Sequence, residues 1–152
     1  MNFAHLFFAQ HGRIPRHQFW IGAVAIIVFQ LAVQLPVMNS YGIAPEKAIP
    51  PLWFRNLSLF LDVICAWPLF AVLAKRQEDR DQGPQLSWCL IALLLLFSVL
   101  ETFALTQRGG QYTPLGWVVG LPLLGIAAIV IFELGCRRGT EGPNRFGPDP
   151  VS

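Results

Sequence analysis

The chain has 152 residues, 54% hydrophobic and 13% charged, with a formal net charge of +2 at pH 7. Soluble domains carry about 25% charged residues, so the deficit and a mean hydropathy of +0.50 point to lipid as the solvent. The length fits one membrane domain spanning residues 1–152, and the small net charge, with no basic stripe interleaved by aromatics, excludes a nucleic-acid partner.

The chain opens with MNFAHLFFAQHG, in which Phe3, Leu6 and Phe7 fall on one helical face. This reads as a short interfacial helix ended by Gly12, with a frayed terminus as the alternative. A spanning helix needs about 20 mostly apolar residues, and four runs meet that test: 19–38, 57–74, 86–105 and 115–134. The first is longer than the apolar core of a secretory signal, about 7–15 residues, and three more runs follow it, so it reads as a retained span. Helix is required because each segment must pair its own backbone in lipid. Pro36, Pro68 and Pro122 are tolerated there, and the last two are expected to kink their helices. The predicted fold is therefore all-α: an integral membrane bundle of four transmembrane helices, with a short N-terminal interfacial helix and an ordered C-terminal turn segment.

Four spans put both termini on one side, together with the loop 75–85. That side carries eight of the eleven basic residues: Arg13, Arg16, Lys75, Arg76, Arg80, Arg137, Arg138 and Arg145. Lys47, Arg55 and Arg108 fall on the other. The bias predicts cytoplasmic termini in a bacterial inner membrane. Trp20 and Trp88 at the inner ends, and Trp53 and Trp117 at the outer ends, form the aromatic belts expected of such a protein. Trp67 lies deeper and is expected to pack between helices.

Three segments on the side of the termini stand out: GRIPRHQFW at 12–20, KRQEDRDQG at 75–83 and GTEGPNRFGPDP at 139–150. Together they resemble the small four-span bacterial inner-membrane proteins of the domain of unknown function 805 family. Gly12, Arg13, Arg16, Phe19 and Trp20 match its first motif, and Asn144, Arg145, Phe146, Gly147 and Pro150 match its last. In the middle Arg76 and Asp79 align, but Gln77 and Glu78 stand where Leu and His are usual, and Trp88 follows Ser87 with no Gly between. The resemblance covers nearly the whole chain and implies the fold and location. It implies no activity, since the family has no established biochemical function.

The three motifs have two readings. One is a positive-inside anchor with solvated salt bridges worth about 0–1 kcal/mol each. The other is a folded cap in which Glu78 and Asp79 bind arginines of the first and last motifs. The three prolines and two glycines of EGPNRFGPDP favour an ordered tail, with Phe146 as an anchor and Arg145 directed at the acids after the second span or at phosphates. Glu133 and Arg137, at i and i+4, are placed to pair.

Acids within spans are costly and often functional. Asp62 and Glu101 fall at similar depth, where they are wetted from the surface, share a proton, or meet Arg55 or Arg108. Gln30 and Gln34 are the only polar candidates in the first span, so no continuous polar route crosses the middle.

His5, His11 and His17 do not share a helical face, and Cys65, Cys89 and Cys136 form no CxxC, so neither a metal nor a cofactor is expected. Enzyme signatures are absent. The expected role is a non-enzymatic membrane protein. It would contact membrane lipid, anionic lipid in particular, and a membrane-protein partner or a second copy of itself, through its basic face. A small transporter or channel subunit using Asp62 and Glu101 is the alternative, and a membrane-embedded lipid enzyme a third.

Overall fold

The computed structural model describes residues 3–40, 50–108 and 111–150. A short helix α1 (Phe3–Phe8) precedes four long ones: α2 (Arg16–Ser40), α3 (Leu52–Glu78), α4 (Gln85–Thr102) and α5 (Pro114–Val130). The last helix continues as a π-helical turn, Ile131–Cys136. Strands β1 (Gln107–Arg108) and β2 (Gln111–Tyr112) form an antiparallel ribbon between α4 and α5. Four helices are long and apolar enough to cross a membrane, counting Pro114–Cys136 as one. The protein is a four-span membrane protein with a short N-terminal helix.

The helices run through Pro36, Pro68 and Pro122, as spans tolerate when neighbours re-satisfy the backbone. Span boundaries differ from the sequence expectation most clearly at α3 and α4. α3 runs from Leu52 to Glu78 rather than 57–74, because Lys75, Arg76, Gln77 and Glu78 continue the helix inside protein instead of leaving it for water. α4 stops at Thr102 rather than residue 105. There Ala104 adopts φ +55°, and the amides of Ala104 and Leu105 turn back to the carbonyls of Glu101 and Leu100, both at 2.9 Å, closing the helix with a left-handed residue.

α2 packs on α3, α3 on α4 and α4 on α5, while α2 reaches the last helix through its π-helical turn. α3 is thus the central helix. Its inward stripe is Phe54, Leu61, Cys65 and Val72, and every residue from Phe70 to Asp79 is buried, which marks a helix end enclosed on all sides. Trp67 is 46% exposed. It faces outward rather than between helices, because it lies off that stripe. The broad apolar faces of α2 (Val24, Val28, Phe29, Leu35) and α5 (Val118, Leu121, Leu124) are exposed and suited to lipid.

In lipid, burying apolar side chains between helices gains little, since acyl chains are as apolar as Leu; close approach and polar contacts hold spans together. The α2–α3 crossing shows the first of these. Gly22 is buried, and a Cβ added there would lie 2.9 Å from Val72 Cγ2. Gly22→Val is therefore expected to push α2 off α3 and cost about 1–3 kcal/mol. Thermal unfolding of the purified protein checks this, and an unchanged midpoint would contradict the packing.

Candidate functional site

Polar residues concentrate at the end where the described termini meet. Three helix C-termini converge there: those of α1, of α3 and of the π-helical turn. Each leaves carbonyls without intrahelical partners and carries the negative end of its dipole. The basic residues of the three motifs answer this need.

Lys75 is 0% exposed and its Nζ donates to the carbonyls of His5 and Leu6, docking α1 on α3. Leu6 completes that contact at 2% exposure, so α1 is held against protein as well as placed at the surface. At the π-helical turn five successive carbonyls are satisfied by side chains. Arg80 Nη1 donates to Glu133 O at 2.9 Å, Arg76 Nε to Leu134 O at 2.8 Å and Trp20 Nε1 to Gly135 O at 3.2 Å. Arg16 Nη1 donates to Cys136 O at 3.1 Å and Arg76 Nη2 to Arg137 O at 2.7 Å. Gly135 admits the indole, since a Cβ there would lie 2.6 Å from Trp20 Cζ2.

Asp79 is the hub. Its carboxylate pairs with Arg76 and, at 3.1 Å, with Arg13 Nε. The side chains of Arg13, Arg76 and Asp79 are 2%, 1% and 4% exposed. Arg13 then reaches the tail: Nη2 donates to Thr140 O at 2.6 Å and Nη1 to Gly142 O at 2.7 Å and Gly147 O at 3.3 Å. The tail caps α3 in return. Thr140 N and Oγ1 both donate to Asp79 O at 2.9 Å, and Asn144 Nδ2 to Glu78 O at 2.9 Å. Asn144 and Gly147 form a bridge, Asn144 Oδ1 accepts from Phe146 N at 2.9 Å, and Gly147 sits at φ +140°, where a Cβ would be strained. Pro150 is half-buried beyond this turn.

Two expected pairings differ. Glu78 binds no arginine; its carboxylate accepts from Gly12 N at 2.8 Å and lies 3.0 Å from His11 Nδ1. Arg145 meets Asp81, not Asp79 or Glu78: Nε lies 3.1 Å from Oδ1, and Nη2 donates to Asp81 O at 2.7 Å. Asp81, at φ +56°, turns its side chain out of the cap, while Asp79, the C-cap of α3, points in. Phe146 packs under Arg145, whose Cζ is 4.8 Å from the ring centroid. Side-chain exposures of 60% and 45% make the Arg145–Asp81 pair a surface contact. Reversing both charges is expected to change stability by no more than about 1 kcal/mol, checked by thermal unfolding; a loss matching that of a buried pair would contradict this. Glu133 pairs with Arg80 and, at 2.8 Å, with Arg137.

The sequence reading missed Gln77, Ser87, Gly139 and Thr140. Gln77 bonds Ser87, and its Oε1 accepts from Leu86 N at 3.3 Å at the start of α4. A Cβ on Gly139 would run into the Asp79 carboxylate. The Gly-Thr ahead of the tail motif was the available signal, a residue without Cβ beside one that donates twice.

Beside the cap lies a cavity of about 640 Å³ whose wall includes Arg16, Trp20 and Arg138, with Glu141 and Asp149 also on it. Asp62 and Glu101 line a separate cavity at the opposite end. They do not pair with one another: Asp62 accepts from Gln30 Nε2 at 2.8 Å and Ser98 Oγ at 2.5 Å, and Arg55 Nη1 approaches Glu101 O at 3.5 Å. Among the described residues no group of three or more His, Cys, Asp and Glu is placed to hold a metal ion.

A family model described as "Protein of unknown function (DUF805)" matches residues 7–148. The chain is 28% identical over 149 residues to "Uncharacterized protein YiiR" of Escherichia coli (strain K12), covering 93% of this chain and 86% of the relative. It is 25% identical over 140 residues to "Inner membrane protein YhaH" of the same strain, covering 91% and 84%. No solved structure gives a significant match.

Proposed function

The chain belongs to the DUF805 family of proteins of unknown function, and from that premise we propose a non-enzymatic protein of the bacterial inner membrane that meets anionic lipid headgroups through an exposed rim on its capped end. The name of one relative, an inner membrane protein, supports the location. The bias of Lys and Arg toward the capped end supports cytoplasmic termini. A green fluorescent protein fused to the C-terminus is expected to fluoresce and an alkaline phosphatase to be inactive; the reverse pattern would overturn the orientation.

The observation that carries the reading is a division of labour among the arginines. Arg13 and Arg76 are consumed inside the cap, whereas Arg16, Arg137, Arg138 and Arg145 are exposed. Against these four guanidinium groups the capped end exposes two carboxylates among the described residues, Asp81 and Glu141. Arg138 makes no ion pair among the described residues, and Arg16 spends one donor on Cys136 O. Trp20, beside them, is 41% exposed, at the level where indoles settle in the headgroup region. Each well-placed cation adds roughly 1 kcal/mol toward an anionic surface.

Native mass spectrometry of the purified protein is expected to show phosphatidylglycerol or cardiolipin retained over phosphatidylethanolamine. Arg16→Gln with Arg138→Gln is expected to abolish the preference. Equal retention in wild type and variant would sink the lipid reading. Cross-linking from native membranes tests the other use of the rim, a membrane-protein partner or second copy lost in the same variant.

The transporter or channel reading has one observation in its favour, the shared cavity of Asp62 and Glu101. Nothing in the sequence or the site favours a lipid enzyme.

A further inference from the structure

At the end opposite the cap, α2, α3 and α4 enclose a cavity of about 350 Å³. Asp62 and Glu101 line it, and among the described residues neither forms an ion pair. Asp62 is half-buried while Glu101 is exposed, so the cost of withdrawing a carboxylate from water without a cation, several kcal/mol when complete, falls on Asp62. Asp62 is held by two neutral donors, Gln30 and Ser98. A carboxylate offers about four acceptor positions, so about two remain for something else.

The same wall carries unspent donors. Thr106 is 1% exposed, yet among the described residues its Oγ1 has no hydrogen-bond partner, and the Nε of Arg55 is likewise buried without one. Arg55 Nη1 makes a long contact to Glu101 O at 3.5 Å. Buried donors left unpaired cost about 1–3 kcal/mol each, so each calls for a partner.

These groups are arranged along the cavity. Asp62 follows Arg55 by seven residues on α3, which is about 10 Å of rise, so the negative pole is deep and the positive pole near the mouth. Asp62 and Gln30 also line a second, smaller cavity of about 80 Å³ whose other walls are apolar, among them Ile26, Leu69 and Ile91.

We propose that this cavity binds a small zwitterion, its ammonium inward on Asp62 and Glu101 and its anionic group outward on Arg55 and Thr106. An ammonium has three donors to spend on the carboxylates, and an anionic oxygen takes up the donors of Arg55 and Thr106. The site is independent of the basic rim at the capped end. A free amino acid and the headgroup of an ethanolamine phospholipid share this chemistry.

The test uses the full chain in phosphatidylglycerol nanodiscs, titrated calorimetrically with glycine, γ-aminobutyrate and dihexanoyl-phosphatidylethanolamine. Butylamine and butyrate serve as half-ligands. At least one zwitterion is expected to bind more tightly than either half-ligand. Its affinity is expected to fall by about tenfold or more in Asp62→Asn and in Arg55→Gln, as for loss of a charged hydrogen bond. Ser98→Ala keeps the carboxylate and is expected to weaken binding less, so a poorly folded Asp62→Asn leaves the test intact. Binding of the free amino acids identifies a soluble ligand, and binding of the phospholipid alone identifies a headgroup. Failure of all three zwitterions to bind, butylamine binding as tightly as they do, or wild-type affinity in both Asp62→Asn and Arg55→Gln overturns the proposal.

Discussion

Arg76→Met is expected to cost roughly 3–5 kcal/mol of folding stability, the scale of losing one partner of a buried ion pair. The reason is the number of segments that Arg76 joins. Its guanidinium pairs with Asp79 and donates to Leu134 O, Arg137 O and, at 3.4 Å, Ile14 O. One side chain on α3 thus binds the segment before α2 and the end of the last span. Removing it strands the Asp79 carboxylate beside Arg13 alone and leaves buried carbonyls unpaired at about 1–3 kcal/mol each. Arg76→Lys is not expected to rescue, because an ammonium cannot reproduce a planar fork directed at several acceptors. Thermal unfolding of both variants in nanodiscs, followed by circular dichroism, checks this; wild-type stability in either would contradict it.

The second large effect is at Asp79. Asp79→Asn keeps the shape but removes the charge that two buried arginines share, and is expected to cost a similar 3–5 kcal/mol. Half of the new amide would present donors to donors. The double variant Arg76→Met, Asp79→Asn is expected to lose less than the sum of the two single losses, since it deletes both charges of one pair. A coupling energy of about 0.5–3 kcal/mol is expected for residues in contact. Strict additivity, measured by the same unfolding transitions, would mean that the two do not share a network. The contrast with Arg145 and Asp81 is one of dielectric: that exposed pair interacts through water and the Asp79 pairs do not.

The spans were legible because lipid demands about 20 apolar residues and a self-paired backbone, and no competing structure meets both conditions. The cap was legible only in part. Three polar motifs on one side of the membrane marked its ingredients, and the proline-rich tail marked its order. Hydropathy placed the end of the second span at Ala74, because the next four residues are polar. Those residues are among the most buried in the chain, since what surrounds them is protein carbonyl rather than lipid or water, and a hydropathy scale holds no term for that. The choice of Asp81 over Asp79 as the partner of Arg145 depends on a single left-handed residue, which sequence spacing does not reveal. The π-helical turn left no readable mark. The ribbon of β1 and β2 did leave one, the Gly-Gly pair between Arg108 and Gln111, which favours a two-residue hairpin turn. Asp62 and Glu101 were visible as acids in spans. Their common cavity was not, because it requires the mutual rotation of α2, α3 and α4.

Three motifs distant in sequence form one folded cap. Hydrogen–deuterium exchange of the full chain in nanodiscs reads the order of that cap. The amides of Gly12, Thr140, Asn144 and Gly147 lie outside any long helix, yet donate to Glu78, Asp79, Gly147 and Asn144. Peptides covering 12–15 and 139–148 are expected to be protected to the degree of the adjoining helix ends, and to lose that protection together in Arg13→Gln. Exchange of 139–148 at the rate of an unstructured peptide in the wild-type protein would contradict the cap.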